Sequence, residues 1–318
     1  MGAGKPHSLR EVGLRRHQAV ELLQSIVYAS HDLSKLRGGD FARGHMAVPV
    51  RVHVSRSFAE DLPGVRIAAA HGAMLRLRRD GEIAGAMKVR LTERCLDLLR
   101  SLQAARWLTT GQVWRRFFPD AKVNAVHKYM RRLARAGYVV MLRENRMAEA
   151  LFTLGPEGKR VLEQHGGEDI LLMRKRPKQL EHLIGINDFR LAAELSGKLT
   201  YFFACWELAQ VGWRHPIIPD AVFSMGARTF ALEFDRGLEG VRYLKQTKVS
   251  AYLRGLEGFP LAAVIIVADR KTRMEFLARA IGDVHARILY TTIDLVRQRG
   301  ISAPVFYQHR HSEGLTLV

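Results

Sequence analysis

The sequence contains little of what marks a secreted, membrane-spanning or zinc-centred protein. Its 318 residues include only two cysteines, Cys95 and Cys205, which lie far apart and lack the spacing of a metal site. No apolar run reaches the roughly 18 residues of a membrane-spanning helix, and the longest, residues 261–268, has the length of a buried strand. The opening residues lead into no signal-peptide core. We therefore expect a cytoplasmic protein with reduced core thiols and no membrane partner.

Several catalytic signatures are missing as well. The 13 histidines form neither an HxxxH motif nor an HUH motif, in which a hydrophobic residue separates two histidines, and this argues against a relaxase with histidine-bound metal. No Gly-x-x-x-x-Gly-Lys-Ser/Thr sequence occurs, so ATP hydrolysis is not indicated. Tyr129 and Tyr138 are better explained as packing residues than as nucleophiles.

Acidic residues are scarce relative to basic ones. The chain has 50 Lys and Arg but 31 Asp and Glu, which gives a net charge of +19. Residues 1–166 hold 29 of the basic residues and only 15 of the acidic ones. A Lys or Arg that neutralises a phosphate releases a condensed counterion, so this excess favours a polyanionic partner. Duplex DNA is the first interpretation and an anionic membrane surface is the alternative.

The pattern of the sequence predicts an α/β multidomain protein. Residues 1–89 combine an amphipathic helix, about 9–28, with strand-like runs and an Asp80-Gly81 turn, an α+β region to which we assign no known fold. Strands alternate with helices over residues 177–296, which predicts an α/β domain whose sheet is covered on both faces. Residues 297–318 form a tail without an assigned element.

Residues 90–166 show the order of a winged helix. Thr92 is a candidate N-cap for the first helix, Thr109 and Thr110 open the second, and Gly137 ends the third. The predicted elements are helices 93–105, 110–117, 121–136 and 157–165, with strands 138–142 and 151–154.

The third helix is the candidate DNA-reading element. Spacings of three and four place Asn124, Lys128 and Arg131 on one exposed face, where Arg suits guanine and Asn suits adenine in the major groove. The alternative is a solvated basic helix of a winged helix that contacts protein. The candidate DNA-binding residues are Lys122, Asn124, His127, Lys128, Arg131 and Arg132 on the helix, with Arg143, Asn145 and Arg146 on the wing.

A pair of acidic positions marks the C-terminal domain. Asp220 begins one apolar strand and Glu233 lies in the next, an arrangement that resembles the metal-binding PD-(D/E)xK core of restriction endonucleases. Asp220 and Glu233 are therefore candidate ligands of Mg²⁺ or Mn²⁺, and Asp235 is a further candidate catalytic residue. Asp235 stands where nucleases have lysine, and it cannot stabilise a negatively charged phosphate.

A lysine from the following helix is a candidate substitute for that missing lysine. Lys245 or Lys248 could reach the carboxylates, and Glu181 could add a further one. We expect Asp220, Glu233 and Asp235 to converge, with pairing to a base such as Arg236 or Lys245. The alternative is a nuclease-like fold that is kept for structure or protein contact.

The ordered motifs resemble the replication-relaxation family of plasmids and other mobile elements. After the basic winged helix these are His182-Leu-Ile-Gly-Ile-Asn-Asp188, Trp213-Arg214, Pro219-Asp220-Ala221, Leu232-Glu-Phe-Asp-Arg-Gly237, Lys245 and Tyr252, so that the resemblance covers about residues 90–270. It implies a role in replication, relaxation or mobilisation of the element's own DNA. The acidic strand of the family also ends in Asp, so the departure from the nuclease consensus is shared. For His182 and Asn187 we expect ordinary polar contacts with neighbouring strands.

Together these observations predict a duplex-DNA-binding accessory protein of a plasmid or other mobile element, associated with the nucleoid or the plasmid. A metal-dependent endonuclease or nickase is one alternative, and a winged-helix transcriptional regulator of the same element is another. We expect cleavage to be absent or slow. Replication or relaxase proteins of the element are candidate partners, and a homodimer is a candidate assembly.

Overall fold

The structure is a computed structural model that describes residues 91–317 except for 146, 168–169, 174, 214–216, 239, 253–260, 283–286 and 310–312. The described residues form a mixed α/β structure with two β-sheets, as the sequence predicted. The elements predicted within residues 1–89 lie outside the described residues. Among the described helices, none combines the length and the apolar character that crossing a bilayer requires.

Residues 91–166 contain four helices and a small sheet. The elements are α1 (Glu93–Ala105), β1 (Leu108–Thr109), α2 (Thr110–Phe117), α3 (Val123–Arg135), β2 (Val139–Leu142), β3 (Leu151–Leu154) and α4 (Pro156–Gln164). The three strands pair antiparallel in the order β1-β3-β2. The predicted order of helices and strands is therefore confirmed, with the two-residue β1 as an addition.

Side-chain caps explain where the first two helices begin. The hydroxyl of Thr92 accepts a hydrogen bond from the backbone N–H of Cys95 at 3.3 Å. Thr109 and Gln112 form a reciprocal capping box at the start of α2. Both threonines satisfy backbone N–H groups that the helix itself leaves without a partner. The apolar faces of α1 to α4 then enclose a core that contains Leu98, Met130 and Phe152.

The second part of the chain is built on a five-stranded sheet. Its elements are α5 (Leu180–Leu195), β4 (Leu199–Ala204), α6 (Cys205–Leu208), β5 (Ala221–Met225), β6 (Arg228–Asp235), α7 (Val241–Tyr243) with a π-helical segment (Leu244–Val249), β7 (Leu261–Ala268), α8 (Lys271–Ile281), β8 (Ile288–Thr292) and α9 (Ile293–Arg299). The strand order is β4-β5-β6-β7-β8. Strands β4 to β6 pair antiparallel, whereas β6 to β8 pair parallel.

Helices cover both faces of this sheet. One face packs Leu232 and Phe234 against α5 and α9, while the other packs Ala231 against the helical segment after β6 and against α8. Because side chains alternate along a strand, Glu233 and Asp235 lie on the face opposite Phe234. This alternation places two carboxylates beneath the segment that follows β6.

Helix α5 crosses β6 at very short range. A Cβ atom at Gly185 would overlap the ring of Phe234, so the approach requires glycine. The close packing brings the polar residues of α5 directly onto the sheet and onto residues 91–166.

The residues after Arg297 are part of the core. Val305, Phe306 and Leu317 are buried in the cluster that contains Leu232. Tyr307 pairs with Tyr290 of β8, and Phe306 pairs with Leu315. The residues after α9 therefore pack against the sheet, whereas the sequence pattern predicted no element for them.

Candidate functional site

Helix α3 buries one face and exposes a basic one. Val126, Met130 and Leu133 are buried in the core. The opposite side is exposed and carries the predicted DNA-binding residues Lys122, Asn124, Lys128, Arg131 and Arg132.

The exposed charges of α3 are not neutralised within the described part of the chain. The helix contains no Asp or Glu. None of its Lys and Arg side chains is paired with a described carboxylate. We refer to this exposed surface of α3 as the basic face.

His127 lies at the edge of the basic face and is partly buried. Its Nε2 atom is shielded from solvent and has no hydrogen-bond partner among the described residues. Burial lowers the pKa of His127, and the charges of Arg143 and Arg131 lower it further. The imidazole is therefore neutral at neutral pH and adds no charge to the basic face.

Two of the three predicted wing residues help to fold the hairpin. Arg143 donates from Nε to the carbonyl of Ala148 at 2.8 Å. The Asn145 side-chain oxygen accepts from the backbone N–H groups of Met147 and Ala148 at 2.9 and 2.8 Å. Arg146 lies outside the described residues. The polar groups of Arg143 and Asn145 that form these bonds are therefore used within the hairpin.

Helix α2 is fixed to α5 by a network around Asp188, whose side chain is 2% exposed. Its carboxylate accepts hydrogen bonds from Gln112 at 3.1 Å, from Arg115, and from Arg297 at 2.5 and 3.0 Å. We call Asp188 and these three donors the interface network. Sequence reasoning missed it, because the donors lie 73 to 109 residues away and no local pattern marks them.

Asn187 joins the same two parts of the chain. Its side-chain amide donates to the carbonyls of Ala105 and Trp107 at 3.0 and 2.8 Å. The prediction of ordinary polar contacts was sound for Asn187, but its partners are backbone groups at the end of α1 and not the neighbouring strands. Arg116 adds an ion pair with Glu194 at 2.9 Å. Helix α5 therefore holds the end of α1 and the outer side of α2.

Asp220 and Glu233 belong to one buried cluster. The Oδ2 atom of Asp220, directly before β5, accepts from the backbone N–H of Phe234 at 2.7 Å, and its Oδ1 contacts Nε2 of His182 at 3.0 Å. The Oε2 atom of Glu233 accepts from Lys248 at 3.0 Å, and its Oε1 accepts from the hydroxyl of Tyr252 at 2.5 Å. We call His182, Asp220, Glu233, Lys248 and Tyr252 the carboxylate cluster.

The helix after β6 supplies two of these groups. Lys248 lies in the π-helical segment, and Tyr252 follows one turn later. π-Helical segments are rare and occur frequently at functional sites. Of the two lysines considered from the sequence, Lys248 contacts the carboxylate of Glu233. Lys245 instead donates to the carbonyl of Ala280 at 2.8 Å, so the structure places its ammonium group outside the carboxylate cluster.

The carboxylates have different proton affinities. Burial raises the pKa of Glu233 to about 7, since the opposing charge of Lys248 only partly offsets burial and the charge of Asp220 adds to it. For Asp220, burial is outweighed by the charge and hydrogen bond of His182, by Lys248 and by the Phe234 N–H, which together lower its pKa. Burial alone would lower the pKa of His182, but Asp220 raises it overall.

Asp235 has a partner of its own. Arg273 of α8 binds both of its oxygens, at 2.8 and 3.0 Å, and the backbone N–H of Gly237 donates to Oδ1 at 2.6 Å. The carboxylates do pair with basic side chains, as expected, but the bases are Lys248 and Arg273 and not the suggested Arg236 or Lys245. Arg236 pairs instead with Glu181, the residue considered as a further carboxylate.

The cluster does not fit a divalent cation as it stands. Hard cations need several carboxylate or carbonyl oxygens with free lone pairs. Each oxygen of Asp220 and Glu233 already contacts a donor, and one of those donors is the ammonium group of Lys248. Within the described ranges no group of three or more His, Cys, Asp or Glu side chains is placed to hold a metal ion.

The fold and these sites define a mixed α/β protein with a basic helix whose charges have no carboxylate partner among the described residues, and with a buried, internally paired carboxylate cluster. The family model for replication-relaxation proteins matches residues 99–257. The chain therefore belongs to the replication-relaxation family, and the resemblance seen in its motifs is confirmed. No curated protein and no solved structure matches the chain significantly.

Proposed function

We propose that the chain binds duplex DNA of a plasmid or other mobile element and acts as an accessory protein in its replication or relaxation. The observation that carries this proposal is the basic face of α3, whose Lys and Arg side chains have no carboxylate partner among the described residues. Unpaired surface cations are the groups that exchange their counterions for phosphates.

The arrangement around α3 supports a winged helix over residues 91–166. Helices α2 and α3 follow each other as in a helix-turn-helix, in which the second helix enters the major groove. The hairpin β2–β3 follows at once and corresponds to the wing. Because α2 is held by the interface network, α3 has a fixed support while its basic face stays open.

Family membership supports the accessory role. Replication or relaxase proteins of the same element are the partners we propose, and the nucleoid or plasmid is the proposed location. We propose a restriction-endonuclease-like origin for the five-stranded sheet, on the basis of Asp220 directly before β5 and Glu233 in the neighbouring β6.

The direct test removes positive charge from the basic face. The triple variant Lys128→Ala/Arg131→Ala/Arg132→Ala should lose duplex affinity by about 100-fold or more, since each phosphate or base contact contributes on the order of 1 kcal/mol. The matched control, Arg270→Ala/Lys271→Ala/Arg279→Ala, removes the same charge from exposed positions at and in α8. Fluorescence anisotropy with a labelled duplex should show a small change for the control. Equal losses in both variants would refute the proposal.

A metal-dependent endonuclease is the second candidate, and one observation favours it. Lys248 reaches Glu233 from the neighbouring helix and so replaces the lysine that the acidic strand lacks. Supercoiled plasmid incubated with the chain and Mg²⁺ or Mn²⁺ tests this candidate. Nicking that disappears in Asp220→Asn would establish it, and an intact plasmid at all protein concentrations would exclude it.

A further inference from the structure

We propose that Lys248 is a built-in cation of the Asp220–Glu233 pair and takes the place that a divalent metal occupies in nuclease sites. The native chain then binds neither Mg²⁺ nor Mn²⁺ here. Replacing Lys248 with an uncharged residue should convert the pair into a divalent-cation site. This inference is independent of the proposed DNA binding by α3.

The position of Lys248 carries the argument. Its side chain is 20% exposed and that of Glu233 is 4% exposed, so their contact at 3.0 Å is well shielded from water. Ala221 pairs with Leu232 across β5 and β6, so Asp220 and Glu233 follow at adjacent positions of the two chains. The Lys248 ammonium contacts Glu233, and its charge also lowers the pKa of Asp220. One cation therefore stabilises both carboxylates.

The remaining donors are fixed in the fold. The Phe234 N–H belongs to the backbone of β6, and Tyr252 is 1% exposed. Both groups are therefore held against their carboxylates by the packing of the fold. Lys248 ends in a flexible stem, so it is the donor whose removal would free oxygens for a cation.

The described arginines near the cluster are held by other carboxylates. Arg273 is bound through two nitrogens to Asp235, and Arg236 is bound to Glu181. Without the Lys248 ammonium, Asp220 would keep His182 and the Phe234 N–H, whereas Glu233 would keep the uncharged Tyr252 hydroxyl as its described donor. Two such carboxylates repel each other unless they are protonated or bind a cation.

The experiment is Mn²⁺ titration of the full chain at about pH 8, above the pKa of about 7 of Glu233 in the native chain, followed by calorimetry or by the electron paramagnetic resonance of free Mn²⁺. Removal of Lys248 raises this pKa further, so Mn²⁺ binding to the variant should release a proton and strengthen as the pH rises. Wild type should show no Asp220-dependent binding at up to about 1 mM Mn²⁺. Lys248→Ala should bind one Mn²⁺ at least about tenfold more tightly than wild type. Lys248→Ala/Asp220→Asn should lose that site.

Lys245→Ala is the matched control, since it removes the same charge from the same helical stretch and should behave like wild type. If Lys248→Ala does not fold, Lys248→Met preserves the apolar stem and takes its place, and Mn²⁺ should raise its melting temperature. Wild-type binding that disappears in Asp220→Asn would overturn the proposal. A folded Lys248→Ala or Lys248→Met that binds no Mn²⁺ would also overturn it.

Discussion

The basic face of α3 and the carboxylate cluster both concentrate charge, but the two regions differ in what surrounds that charge. On α3 the cations are exposed and have no described carboxylate partner. In the cluster every carboxylate oxygen contacts a donor and the groups are largely buried. Exposed, unpaired charge is available to a partner, whereas buried, paired charge mainly determines how the chain folds.

The interface network is a third arrangement, which links the other two. Helix α5 carries His182 near its start and Asp188 two turns later. The first residue contacts the carboxylate cluster and the second holds α2, which precedes the basic helix. Helix α5 therefore contacts both the carboxylate cluster and the helix that precedes the basic face.

The largest expected effect is the loss of the carboxylate at Asp188. Asp188→Ala leaves Arg115 and Arg297 without their buried partner, and we expect a loss of about 3 kcal/mol in the free energy of unfolding. Urea unfolding measures it. Asp294→Ala is the control, because Asp294 pairs with the same Arg297 at 3.2 Å but is 61% exposed, and it should cost less than about 1 kcal/mol. Similar losses in both variants would show that the interface network stabilises the fold no more than the exposed Asp294–Arg297 pair does.

Local signals predicted most of the fold. Thr92 and Thr109 predicted the starts of two helices, and the uninterrupted apolar run 261–268 predicted β7 with the bounds that the structure shows. These features depend on neighbouring residues, so a single sequence contains them. The apolar runs also placed Asp220 at the start of one strand and Glu233 in the next, and in the structure Asp220 directly precedes β5 and Glu233 lies in β6.

Long-range partners of charged groups were not predictable in the same way. Arg273 and Asp235 are 38 residues apart, and no spacing rule connects them. Lys245 and Lys248 lie on the same stretch of helix, and only its local winding decides which of them faces Glu233. The residues after Arg297 show no helical or strand-like hydrophobic periodicity. They pack through individual buried side chains such as Val305 and Phe306, and a periodicity argument does not detect these.

A second prediction concerns pH and the carboxylate cluster. Glu233 has a pKa of about 7 in the fold against an ordinary value of 4.5, so the folded chain binds more protons between these values. The free energy of unfolding should therefore fall as pH rises through this window, by on the order of 2 kcal/mol. The raised pKa of His182 acts in the same direction, since its contribution is lost as pH rises past the folded value.

Asp220 does not alter this trend, because a lowered pKa affects stability only at more acidic pH. Urea midpoints at about pH 5.5 and 8 measure the difference. Glu233→Gln should flatten the dependence, since the amide does not titrate. An unchanged slope in Glu233→Gln would assign the dependence to other groups.

The smallest effect separates base reading from phosphate binding on α3. Asn124→Ala should reduce the preference for a target duplex over a random duplex by about 1 kcal/mol, if the amide contacts a base edge. Binding to the random duplex should change little, because Asn124 carries no charge. Competition titrations with both duplexes provide the measurement. A uniform loss on both duplexes would leave Asn124 without a reading role.

The salt dependence of duplex binding tests most directly whether the Lys and Arg side chains of the basic face bind phosphates. The logarithm of the association constant should fall linearly with the logarithm of salt concentration, with a slope of about −0.9 for each phosphate neutralised. The variant Lys128→Ala/Arg131→Ala/Arg132→Ala should have a slope shallower by about 2 to 3, while the α8 control variant retains the wild-type slope. An unchanged slope in the α3 variant would contradict the account.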